Sequence, residues 1–172
     1  MRKIFLFLTL AMLLFSTNVA AQEAKFKAVF TLNFIRYIGW PETAQEGDFV
    51  IGVVRGREVA SWMESQSKGK KFGFQDIVVK QYRSIEEVED CQVIYVSSAV
   101  NLRAQGELIA DKALQNKALL ITEAEGATSH GAAINFVVRD GALKFELHKG
   151  NASRASLQFS SRLETMAAAI VL

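Results

Sequence analysis

The chain has 172 residues, half of them hydrophobic and 22% charged, with a formal net charge of +2. Setting aside Arg2 and Lys3 leaves 18 basic against 18 acidic residues, a balance that excludes electrostatic nucleic-acid binding as the main task. A single cysteine, Cys91, excludes an internal disulfide.

Met1-Arg2-Lys3 is a basic start, Ile4 to Phe15 is an uncharged apolar run, and Val19-Ala20-Ala21 offers small residues for cleavage. That order is the pattern of a secretory signal peptide, and the run is too short for a spanning helix of about 20 residues. The expectation is a leader over residues 1–21, cleaved near Ala21, and one exported domain over 22–172. A protein outside the cytoplasm meets neither an ATP pool nor nucleic acid in the ordinary course.

A first helix is predicted from Glu23 to Trp40, where Pro41 disfavours helical geometry in the residue before it. Phe26, Val29, Phe30, Phe34, Tyr37 and Trp40 share one broad face, with Asn33 in its middle as a structural clamp or a ligand contact. Strands follow at Phe49–Val54 and Ile77–Gln81, with a short helix at Val59–Ser65 between them. Ser84 and Glu87 form a capping box for a short helix to Asp90. A strand at Gln92–Val96, a helix at Leu102–Gln115 and a strand at Ala118–Thr122 come next, with Cys91 expected as a small buried hydrophobe. Strands apolar on both faces and separated by helices imply an α/β fold, its sheet mostly parallel and flanked by helices on both faces.

Asp140-Gly141 joins Ile134–Arg139 to Ala142–Leu147 as a two-residue hairpin. Pairing outward from that turn sets Val138 opposite Leu143, Phe136 opposite Phe145 and Ile134 opposite Leu147 on one face. The other face pairs Val137 with Lys144 and Asn135, a structural polar position, with Glu146. Asn151 is placed as the cap of a final helix from Ala152 to about Val171, striped by Phe159, Leu163, Met166 and Ile170. Its Ala167–Ala169 end suits close approach to its own sheet or to a partner. Leu157, Leu163, Met166 and Ile170 are the candidate partner or dimer surface.

No convergent catalytic set is visible. His130 and His148 lack spaced metal partners, Ser97-Ser98 is not a nucleophile elbow, and Gly56 follows a strand without a glycine-rich phosphate loop. The sequence therefore points away from an enzyme and implies no metal and no cofactor. Binding is the alternative. In an open parallel sheet, ligands sit beyond the carboxyl ends of the strands, where Arg55, Ser97, Ser98, Thr122 and Glu123 fall. Arg55 suits a carboxylate or phosphate, and the hydroxyls suit hydrogen bonding. The same residues also serve as ordinary turn and cap positions.

The segment Lys27-Ala28-Val29-Phe30-Thr31-Leu32-Asn33-Phe34-Ile35-Arg36-Tyr37-Ile38-Gly39-Trp40-Pro41 resembles the opening signature of the YfiR/HmsC-like periplasmic proteins. Phe49–Val54 is similar to that family's first strand, and Cys91-Gln92-Val93-Ile94-Tyr95-Val96-Ser97 to its Cys-His-hydrophobic-Ser strand. Gly131–Phe136 is similar to its Gly-x-Ile-Asn-Phe segment, and Phe145 through Leu163 to its closing elements. The resemblance implies an α/β fold in the periplasm and no catalytic activity. It also implies a regulator that binds the periplasmic part of an inner-membrane diguanylate cyclase, or another membrane sensor protein, and lowers cyclic di-GMP signalling and biofilm formation. Homodimerisation is part of the same expectation. The alternative is a periplasmic small-molecule sensor using the strand-end cleft. Two departures stand out: Gln92 replaces the family's frequent histidine, and Cys91 lacks the partners for an internal redox switch.

Overall fold

The computed structural model describes residues 21–172. The expected leader lies outside the described residues apart from Ala21. Helix α1 covers 21–34, followed by a 3-10 turn at Ile35–Tyr37 and strand β1 at Ile38–Gly39. In order, the remaining elements are β2 (Phe49–Val54), α2 (Arg57–Ser67), β3 (Lys71–Phe72), β4 (Gln75–Tyr82), β5 (Val93–Val96), α3 (Leu102–Gln115) and β6 (Leu119–Thr122). They continue with β7 (Ile134–Arg139), β8 (Ala142–His148), α4 (Lys149–Arg154), β9 (Gln158–Phe159), α5 (Ser161–Met166) and β10 (Ala169–Val171).

The main sheet has the order β10-β8-β7-β6-β5-β2-β4-β3, and β1 pairs with β9 in a separate two-stranded ribbon. The α/β class is as expected, but the sheet is mixed rather than the mostly parallel one anticipated. Antiparallel joins at β3–β4 and β7–β8 bracket a parallel centre, and β10 adds a parallel strand beyond β8. Successive side chains on a strand point to opposite faces. In β5, Val93 and Tyr95 enter one core while Ile94 and Val96 enter a second, and β6 divides Leu119 and Ile121 from Leu120 in the same way. The first core is covered by α1 and α2, the second by α3.

Helix α1 is shorter than its apolar pattern suggests, ending well before Trp40. The Trp40 indole N–H turns back to donate to the Ile35 carbonyl at 2.9 Å, and Ile38–Gly39 leaves as a strand paired with Phe159 and Gln158. The inward stripe is Ala24, Ala28, Thr31 and Ile35, whose small residues let the helix lie close on the sheet. Phe34 is buried beside it, its ring 4.7 Å from Phe145 and 5.8 Å from Phe136. Asn33, expected as a buried clamp, is exposed, as is Phe26.

The hairpin has the anticipated register throughout, from Val138↔Leu143 to Ile134↔Leu147. The capping-box helix at Ser84–Asp90 is instead an irregular loop, in which Glu87 accepts from the Arg83 backbone N–H at 2.9 Å. The long final helix is also corrected. His148, not Asn151, caps α4: its Nδ1 accepts from the Asn151 backbone N–H at 3.2 Å. The Asn151 side chain donates to the carbonyls of Thr128 (2.7 Å) and Ala132 (2.8 Å), which makes it a buried clamp. Left-handed Ser156 (φ 62°) ends that turn, and Ser160 caps α5 through the Leu163 N–H. The alanine-rich segment then extends to pair with Glu146–His148 as β10. Sheet hydrogen bonds and an αL residue thus override a stripe that fits helical spacing by coincidence.

Cys91 is buried, with Asn116 Nδ2 3.8 Å from its sulfur, and desolvation pushes its thiol pKa up to about 12. The native thiol is therefore expected to stay inert to a disulfide reagent at mildly alkaline pH and to react at once on denaturation. Fast stoichiometric labelling of folded protein would contradict this burial. Phe34→Ala is expected to reduce unfolding free energy by about 3–5 kcal/mol in denaturant titrations, the usual cost of emptying an aromatic core site.

Candidate functional site: the cleft at the strand ends

The parallel strands β2, β4, β5 and β6 end together at Val54, Tyr82, Val96 and Thr122. Chain direction diverges between β2 and β5: α2 carries it from β2 outward to β4, and α3 carries it from β5 the other way to β6. A cleft of about 390 Å³ opens at that point, walled by Arg55, Gly56 and Arg57 on one side and by Glu23, Lys27 and Glu123 on the other. A second opening of about 740 Å³ shares Arg55, Gly56 and Arg57 and reaches Gln81 and Arg83.

Arg55 leaves β2 in the left-handed region (φ 53°), uncommon for a side-chain-bearing residue. Two hydrogen bonds hold it there: its N–H donates to the Tyr82 carbonyl at 3.0 Å, and its own carbonyl accepts from Ser97 Oγ at 2.8 Å. Ser97 Oγ also accepts from the Ala99 N–H at 3.3 Å, so this hydroxyl shapes the backbone of the cleft. Arg55 and Ser98 remain exposed.

The opposite wall is ionic and largely buried. Lys27 bonds to Glu123 and reaches Glu23 at 2.7 Å, one turn earlier on α1. Burial alone would lower the Lys27 pKa, but its hydrogen bonds to the two carboxylates more than reverse this and hold it above the ordinary lysine value. A raised lysine pKa contributes stability at neutral pH that is lost as pH climbs through the folded value, in the strongly alkaline range. Behind the wall, Tyr95 is fully buried, with its hydroxyl facing Glu123. Burial first, then the charge of Glu123, raises the phenol's pKa well above its usual value.

Four of the five residues placed here by sequence, Arg55, Ser97, Ser98 and Glu123, do line the cleft. Thr122 does not: it is buried on the α3 side of the sheet, where its hydroxyl donates to Asn135 Oδ1 at 2.8 Å. Asn135 is itself fully buried. Lys27, Glu23 and Arg57 were missed. The available signal was Lys27 itself, a charge beside the small residues Ala24 and Ala28 on a helix that must bury one side.

Of the candidate partner surface, Leu157 and Leu163 belong to the core, while Met166 and Ile170 are exposed. His130 packs against Gly106 of α3, and His148 caps α4. Among the described residues, no group of three or more His, Cys, Asp or Glu side chains is arranged to hold a metal ion. Within the same residues, no helix is long and apolar enough to cross a membrane.

Fold and topology define a small α/β domain. Residues 24–168 match the family described as YfiR/HmsC-like, and the chain belongs to that family. A solved structure of similar fold is a conserved domain protein from Vibrio cholerae O1 biovar eltor strain N16961, at a TM-score of 0.59 and 12% identity. The similarity covers 86% of this chain and 60% of that one, and at such identity what the two share is the fold. No curated protein matches the sequence.

Lys27→Met is expected to destabilise the protein by about 3–5 kcal/mol, because it leaves the nearly buried Glu123 carboxylate without its counter-ion. Adding Glu123→Gln should recover much of that loss in thermal unfolding. Additive losses in the double variant would show that the pair is not coupled.

Proposed function

We propose that this protein is a periplasmic regulator that binds and restrains the periplasmic part of an inner-membrane signalling protein, a diguanylate cyclase, and so lowers cyclic di-GMP signalling and biofilm formation. The observation that carries this reading is membership of the YfiR/HmsC-like family over residues 24–168, nearly all of the described chain. In physical terms the regulator is a ligand with unequal affinity for two states of its receptor, and it shifts their populations by that difference.

The surface that suits the task is the sheet edge formed by β10. This strand lies at the end of the sheet order, and Met166, Ile170 and Val171 are exposed there. An edge strand with unpaired backbone groups and apolar side chains accepts an extended segment of a partner by strand addition. Leu157 and Leu163 are buried in the core and are not part of this surface.

Capture from a gentle envelope extract tests the reading. Wild type is expected to retain a membrane signalling protein, and Ile170→Asp to lose it without a change in thermal midpoint. Recovery of no membrane partner would overturn the proposal. Undiminished capture by Ile170→Asp would remove β10 from the interface, and a self-associated species dissolved by that substitution would identify the edge as a dimer contact.

A further inference from the structure

We propose that the β3–β4 hairpin docks reversibly on an anionic phospholipid surface, with Phe74 entering the headgroup layer and Lys68, Lys70 and Lys71 facing the lipid phosphates. This inference stands apart from the partner reading and rests on the hairpin alone.

The run Lys68-Gly69-Lys70-Lys71-Phe72-Gly73-Phe74 holds three lysines, two aromatic rings and no acid. Strand β3 pairs antiparallel with β4, Lys71 opposite Asp76 and Phe72 opposite Gln75, so Gly73 and Phe74 form the tip. The base of the hairpin is fixed from within. Phe72 packs on Phe49, with 4.7 Å between ring centroids, and on Trp40 at 6.4 Å. Gln75 is buried, and its amide donates to the carbonyls of Ala44 and Gly47, both at 3.1 Å. The tip is left outside. Gly69 and Gly73 have positive φ (71° and 60°), and a Cβ at either would meet nothing within 4 Å, so the segment projects from the body.

Phe74 is 99% exposed and belongs to neither core. Leu172 aside, the next most exposed large hydrophobic residue among those described is Val138, at 62%. Scattered apolar side chains on a surface are ordinary, but this one stands at a protruding tip among like charges. Lys68, Lys70 and Lys71 are all exposed. Lys71 reaches Asp76 at 3.2 Å, with both side chains more than half exposed. Lys68 and Lys70 make no salt bridge among the described residues. The other acids of this region, Glu42, Glu46 and Asp48, belong to the segment that Gln75 holds at the base of the hairpin.

This geometry selects a lipid layer over a protein groove. A two-residue tip offers far less than the roughly 800 Å² per partner of a stable protein interface. A lipid surface needs no such area. An aromatic ring settles at headgroup level, while lysine stems lie along the apolar boundary and their ammonium groups reach the phosphates. One ring and three charges give marginal, reversible attachment rather than permanent anchoring.

The test mixes purified protein with vesicles of phosphatidylglycerol and phosphatidylcholine and, separately, of phosphatidylcholine alone. The chain used begins at Gln22, so that the apolar run Ile4 to Phe15 takes no part. Sedimentation gives the bound fraction at low and high salt. Binding to the anionic vesicles is expected, weakened by salt and weaker still on the neutral ones. Phe74→Ser should reduce it roughly ten-fold, the scale of withdrawing one aromatic side chain from an apolar layer, and Phe74→Trp should retain it. Lys68→Gln combined with Lys70→Gln should reduce it about five-fold for each charge removed. Thermal midpoints should not change, because all three positions are exposed. Val138→Ser, exposed on the other hairpin, should bind as wild type. No binding to anionic vesicles, or binding indifferent to both Phe74→Ser and the double lysine variant, would overturn the proposal. Loss of membrane-protein capture by Phe74→Ser, in a protein that ignores vesicles, would also overturn it and make the tip a protein contact.

Discussion

The central strands are apolar on both faces, and this constraint organises the rest of the molecule. Val93 and Tyr95 of β5 need cover on one side, while Ile94 and Val96 need it on the other. Parallel neighbours cannot be joined by tight turns, so α2 crosses one face between β2 and β4 and α3 crosses the other between β5 and β6. Cover and connection are thereby the same elements. Because α2 and α3 lie on opposite faces and lead in opposite directions along the sheet, their departure points separate, and the cleft is the gap they leave. The site follows from how the core is closed.

Polar groups are placed where this closure is imperfect. Lys27 sits at the margin of the α1 contact, where its ammonium meets Glu123 beyond the end of β6 and ties the helix to the sheet. Thr122 and Asn135 do the equivalent between β6 and β7, a side-chain hydrogen bond at the point where the two strands run in register. Asn151 ties α4 to the loop before β7 through two carbonyls. All three devices lock an element to a neighbour in the fold, and the first also sets the charge of one cleft wall.

How legible these features are in sequence depends on how local their causes are. The hairpin is read residue for residue because Asp140-Gly141 fixes the turn and the period of two fixes everything after it. Helix α3 likewise runs over the expected Leu102–Gln115, with the Asn101 side chain accepting from the Ala104 N–H at its start. The segment after Ala152 misleads because Phe159, Leu163, Met166 and Ile170 have helical spacing, whereas their conformations are decided by distant partners in β1 and β8. Asn33 misleads for a related reason: the large aromatic residues suggest one buried face, but close packing selects the face of Ala24, Ala28 and Thr31. In the cleft, strand-end position alone finds Arg55 and Glu123. It cannot find Lys27, whose role requires knowing which helix covers which strand.

The strand β10 has a consequence for how the molecule is assembled. It is built from residues synthesised after those of the other described strands, yet it extends the main sheet by pairing with β8. Until those residues emerge, β8 carries a bare row of backbone donors and acceptors beside a finished hairpin. Docking of β10 therefore trades an open edge on the seven-residue β8 for the shorter, three-residue edge of β10 itself.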